Sequence, residues 1–99
     1  MPAQFELYRT TTGVLVVVLQ NDLLDQLRTR VVAPLIPASA VARVMDSLNP
    51  SVMIGEETFL LMPQLAATLD ISEMGERVGS LAMMRDRITR ALDALLSGI

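Results

Sequence analysis

Six consecutive apolar residues, Val14-Leu15-Val16-Val17-Val18-Leu19, restrict what this chain of 99 residues can become. Four of the six are valines, whose branched and stiff side chains fit a pleated sheet better than a helix. Before them, apolar and polar residues alternate from Gln4 to Tyr8, and Thr10-Thr11-Thr12-Gly13 has the composition of a turn. The stretch therefore predicts a hairpin leading into a buried strand.

Val31 to Ile36 is β-like again, but Pro34 and Pro37 each lack a ladder donor, which places the segment at a sheet edge or a bulge. Gln20 to Gln26, polar at both ends around Leu23-Leu24, is assigned to a surface loop. Ala38 to Leu48 suits a short helical turn and a long connection equally. Ser51-Val52-Met53-Ile54 and Thr58-Phe59-Leu60-Leu61-Met62 flank Gly55-Glu56-Glu57 as the arms of a hairpin, and Leu65 to Ile71 fits one more short strand. From Ser80 the period changes. Leu81, Met84, Ile88, Ala91, Leu92 and Leu95 fall on one face of a helix over Ser80 to Leu96. Ser80 is the expected N-cap, Asp86 and Arg90 the expected pair on the opposite face, and Gly98 the expected left-handed cap. No repeat or linker divides the chain, so one domain over residues 1–99 is expected.

Composition limits the chemistry. The chain has neither cysteine nor histidine, and all eight basic residues are arginines. That excludes thiolate and imidazole metal sites, imidazole general bases, and catalytic or phosphate-binding lysines. Glu56 and Glu57 are adjacent and are read as a solvated turn rather than an acid/base pair. Asp22 and Asp25 lack the further oxygen ligands a hard cation needs. Ser39, Ser47, Ser51, Ser72, Ser80 and Ser97 have no base to activate them and suit caps and turns. Arg85, Arg87 and Arg90 form a solvated basic helix face, and Met53, Met62, Met83 and Met84 are assigned to core filling. No enzyme, metal or cofactor is therefore expected. The net charge of −3, with arginines spread along the chain, argues against direct nucleic-acid binding. No signal peptide or membrane span is legible, which makes the cytoplasm the expected location.

What remains points to binding. Residues of apolar type make up 52% of the chain, more than a small domain easily hides, so an exposed patch covered by a second copy or a partner is expected. Two places stand out: Leu23-Leu24, which either plugs the open end of the sheet or meets a partner, and the run Leu95-Leu96-Ser97-Gly98-Ile99 that finishes the helix.

In order and spacing, Gln20-Asn21-Asp22-Leu23-Leu24-Asp25, Val32-Ala33-Pro34-Leu35, Val52-Met53-Ile54-Gly55-Glu56-Glu57 with Phe59, and a helix ending in Gly98-Ile99 resemble the CcdB family, the toxins of bacterial toxin–antitoxin pairs. The resemblance implies a mostly β fold, a small SH3-like antiparallel barrel with a C-terminal helix, assembled as a homodimer. It implies a poison of DNA gyrase that binds the A subunit on cleaved DNA and is neutralised by a CcdA-like antitoxin. Carried over by position, Ser97, Gly98 and Ile99 are the gyrase-contacting set. The antitoxin site takes in Leu23, Leu24, Asp93, Leu96, Ser97, Gly98 and Ile99. One departure matters: the family's tail is Trp-Gly-Ile, and Ser97 stands where the Trp belongs. Loss of a buried aromatic anchor worth about 2 kcal/mol or more weakens an interface roughly thirtyfold. A non-toxic scaffold is therefore an alternative, as is an RNA-cutting activity like that of the MazF and Kid toxins, which share the fold.

Overall fold

The computed structural model describes residues 1–98; Ile99 lies outside the described residues. Seven strands, β1 (Glu6–Arg9), β2 (Leu15–Val18), β3 (Thr29–Pro37), β4 (Ser51–Ile54), β5 (Glu57–Leu61), β6 (Ala67–Asp70) and β7 (Glu76–Ser80), precede one helix, α1 (Arg85–Ser97). Every pairing is antiparallel, in the order β4-β5-β3-β2-β1-β7, with β6 joined to β3 off that path. The result is a half-barrel antiparallel sheet with a terminal helix, the mostly β architecture expected of the small SH3-like barrel that the resemblance implied.

The valine run is the buried strand, fully buried from Leu15 to Val18. Its two faces feed two apolar clusters. Leu15, Val17 and Leu19 join Phe5, Leu7, Ala33, Leu35, Val52, Leu61, Leu81 and Ile88 in the larger, while Val16 and Val18 pack with Tyr8, Val32 and Met74 in the smaller. Alternation along β2 thus builds a core on both sides of the sheet.

The expected edge position of Val31 to Ile36 is incorrect, because β3 is the central strand. Its residues 32–35 pair with β2 on one side; on the other, residues 29–32 pair with β6 and residues 35–37 with β5. The Val31 carbonyl accepts from Leu19 N–H on the β2 side, so alternation turns Pro34 to the other side, where its carbonyl accepts from Met62 N–H at 2.9 Å. Its missing N–H therefore faces the split between β6 and β5, where no ladder acceptor is due. Pro37 ends the strand beyond the last residue that β2 pairs.

The sequence pattern did not disclose β7. Glu-Arg-Val-Gly-Ser has one apolar side chain, Val78, and that one is 43% exposed. The strand is held by its ladder to β1, with a bulge between Leu7 and Tyr8. Because β7 runs to Ser80, the helix begins later than expected. Residues Ala82–Met84 form a 3-10 turn, Ser80 Oγ accepts from Ala82 N–H at 3.2 Å, and α1 starts at Arg85 without a side-chain cap. Its apolar face follows the expectation as far as Leu92: Ile88 and Ala91 are buried, and Met84 and Leu92 pack on the larger cluster. Arg90 Nε donates to the Asp86 carbonyl at 3.3 Å rather than to its carboxylate. Gly98 closes the helix at φ 74°, its N–H bonded to Ala94 O. Met62 is buried and Met84 half-buried, but Met53 and Met83 are exposed and fill no core.

Candidate functional site: the helix end and the Leu23-Leu24 knuckle

Beyond Leu92 the helix leaves the core. Asp93 and Leu95 to Gly98 are exposed, Leu96 by 80%. The Ser97 hydroxyl turns back onto the helix and donates to Asp93 O at 2.8 Å. Beside this end runs a shallow groove lined by Met45, Ser47, Leu48, Ala94, Leu95 and Gly98. Its far wall is the connection before β4, held by Asn49. That side chain is 3% exposed; its amide nitrogen donates to Leu61 O and Gln64 Oε1, and its oxygen accepts from Met45 N–H. A buried amide satisfied on both ends fixes loop position better than surface contacts do.

The second expected place is a 3-10 turn, Asp22–Leu24. Asn21 Oδ1 caps it by accepting from Leu23 N–H at 2.8 Å, and Gln20 bridges it to β3, giving Nε2–H to Leu24 O and taking Val31 N–H on Oε1. Asp22 Oδ1 accepts from Gln4 N–H at 2.8 Å, tying the turn to the lead-in of β1. Leu23 is 89% exposed and Leu24 52%, so they do not plug the sheet. They form a hydrophobic knuckle in solvent.

Among the described residues no hydrogen bond or apolar core cluster joins Leu23 and Leu24 to Asp93, Leu96, Ser97 or Gly98. The knuckle is tied to the lead-in of β1, where the Phe5 carbonyl accepts from Leu81 N–H ahead of the helix.

One residue of this region went unread in the sequence. Arg30, at 1% exposure, is among the largest fully buried side chains, and its guanidinium donates to backbone carbonyls around the knuckle. The available signal was an arginine two residues before Val32, and so on the same face as a buried valine.

The groups with displaced pKa values lie elsewhere. Burial raises Glu6, but Ala3 N–H, Arg77 and the Tyr8 hydroxyl outweigh it and hold the carboxyl below its ordinary value. Burial and the Glu6 carboxylate push the Tyr8 hydroxyl up. Arg77 Nε sits 2.6 Å from Glu6 Oε2, across the β1–β7 pair. Asp70 is lowered by the Ser72 hydroxyl and N–H it accepts from. Glu56 and Glu57 are exposed, as a solvated turn requires. Among the described residues no cluster of three or more metal-ligating side chains occurs, and no helix is long and apolar enough to cross a membrane.

The model of the CcdB protein family matches residues 4–98, which takes in both the knuckle and the helix end. The chain belongs to the CcdB family. Its members are the toxin halves of toxin–antitoxin pairs, and this chain is of that class. A solved structure described as an endoribonuclease from mycobacterial species superposes with a TM-score of 0.76 at 19% identity, over 96% of this chain and 90% of its own. At that identity the likeness establishes the half-barrel fold alone.

Proposed function

We propose that this CcdB-family chain is a cytoplasmic, homodimeric toxin that binds the A subunit of DNA gyrase and traps the enzyme on cleaved DNA. Ser97, Gly98 and Ile99 form its gyrase contact, and a CcdA-like antitoxin neutralises it over Leu23, Leu24, Asp93, Leu96 and the same helix end. The observation that carries the reading is the exposed helix end, which runs past the last core residue to a Gly98 cap and holds Leu96 four-fifths in solvent. Such a projection acts by differential affinity: bound to one conformation of a two-state enzyme, it holds the enzyme there without chemistry of its own. The exposed Leu96, and Leu95 lining one groove with Met45, also give a second copy apolar surface to cover.

Ser97 favours a second reading, a scaffold that keeps the fold and has lost the poison. Its hydroxyl is satisfied within its own helix and supplies no aromatic anchor. A plasmid-cleavage assay with gyrase from the native host separates the two. Linear DNA accumulating with the native protein, and not with a variant lacking residues 97–99, upholds the toxin; breaks appearing only with Ser97→Trp uphold the scaffold.

The ribonuclease reading has the fold likeness in its favour. Against it, such an activity needs a base and a cationic phosphate clamp in one cleft, and a chain without histidine or lysine has only arginine, aspartate and glutamate to build them. Cleavage of long single-stranded RNA in the presence of a chelator would revive it.

A further inference from the structure

The knuckle poses a physical problem. Every residue from Asn21 to Arg28 is exposed, with Leu24 and Leu27 only about half covered, yet Leu23 stands 89% in solvent instead of collapsing onto the surface. The buried group that reaches it is Arg30. Its Nε donates to Pro2 O at 2.9 Å, Nη1 to Leu27 O at 2.7 Å and Thr29 O at 2.8 Å, and Nη2 to Asp25 O at 3.1 Å. Neither of the ion pairs among the described residues involves it. A full positive charge, 1% exposed, is balanced by backbone carbonyl dipoles.

A guanidinium presents its donors in a rigid planar fork, so four carbonyls from positions 2, 25, 27 and 29 satisfy it only in one mutual arrangement. Two of them, Asp25 and Leu27, follow Leu23-Leu24 directly, and Leu27 N–H returns to Leu24 O at 3.2 Å. The fork therefore fixes the exit of the turn, while Asn21 caps its start and Gln20 ties Leu24 O to β3. A side chain held in place before a partner arrives loses little entropy on binding, which is how an exposed leucine becomes an effective anchor.

We infer that Arg30 is the positioning residue of the Leu23-Leu24 knuckle, setting it in advance for the antitoxin. The inference rests on the proposed reading of the knuckle as an antitoxin contact. Amide hydrogen exchange tests the positioning by itself. In Arg30→Met, exchange at Leu24, Asp25 and Leu27 rises roughly a hundredfold or more, while the β2–β3 ladder keeps its protection. Equal loss of protection in knuckle and ladder overturns the inference, because Arg30 would then serve only global stability. Should Arg30→Met fail to fold, Arg30→Lys carries the test: it keeps the charge, lacks the fork, and is expected to loosen the knuckle alone.

Titration with a CcdA-like antitoxin from the same host tests the purpose. Arg30→Met and Leu23→Ala each weaken binding roughly tenfold or more, and the double variant is no weaker than the worse single one. Additive losses, or a loosened knuckle with unchanged affinity, overturn it. If the unaltered protein does not bind that antitoxin, the partner reading fails, and the exchange pattern still decides whether Arg30 positions the knuckle.

Discussion

Gly75 and Gly98 form a matched pair in which the cost of backbone conformation separates from the cost of space. Their φ values are 73° and 74°. A Cβ at Gly98 meets nothing within 4 Å, whereas one at Gly75 runs into the Arg9 carbonyl oxygen, with Thr10 C at 3.0 Å and Arg9 C at 3.2 Å. Arg9 is the β1 residue opposite Glu76, so the obstructed atoms belong to the strand on which β7 is laid. They cannot yield without opening that ladder. For Gly98→Ala only the left-handed penalty applies, about 1–2 kcal/mol at most, since a helix end also frays. Gly75→Ala adds an overpacking term of about 1–3 kcal/mol, for a total near 2–5 kcal/mol. At about 4–8 °C per kcal/mol for a domain this size, its Tm falls by about 10 °C or more. Thermal unfolding followed by circular dichroism, with urea midpoints as a check, reads both variants. Equal losses within about 0.5 kcal/mol would refute the claim that close approach to β1 defines Gly75.

Ile88→Ala removes a side chain with no exposure from the contact between α1 and the sheet and should cost about 2–5 kcal/mol in urea unfolding, while Leu96→Ala, four-fifths exposed, should stay within about 0.5 kcal/mol. Acid should destabilise the fold through Glu6 and Asp70. Both have folded pKa values below their ordinary 4.5 and 3.8, so their stabilisation is complete above those values and is lost as pH falls through the folded ones. The urea midpoint should be level from pH 7 to about pH 5 and drop below about pH 4, less steeply in Glu6→Gln.

The parts of the fold legible in the sequence are those where burial is one-sided or complete. The valine run announced β2 because both of its faces are covered, and the period of Ile88, Ala91 and Leu92 announced α1 because one stripe meets the sheet. Pro34 misled because a missing donor reveals a missing partner but not that a central strand changes partners at that point. β7 was illegible because an edge strand with a solvated face needs no apolar pattern, only a ladder. At the site, Leu23-Leu24 and the helix end stood out as apolar residues with no core to enter. Arg30 did not, since sequence alone does not disclose a charge neutralised by the carbonyls of Pro2, Asp25, Leu27 and Thr29, brought together only by the fold.

The central claim, that the helix end is the working surface, is tested most directly by calorimetric titration of the dimerisation region of the host's gyrase A subunit. The native protein is compared with a variant lacking residues 97–99, both first verified as folded. Micromolar or tighter binding, about 8 kcal/mol or more, that the shortened variant loses is the predicted result. Equal binding by both would contradict the account, and so would a native protein that is folded and dimeric yet does not bind.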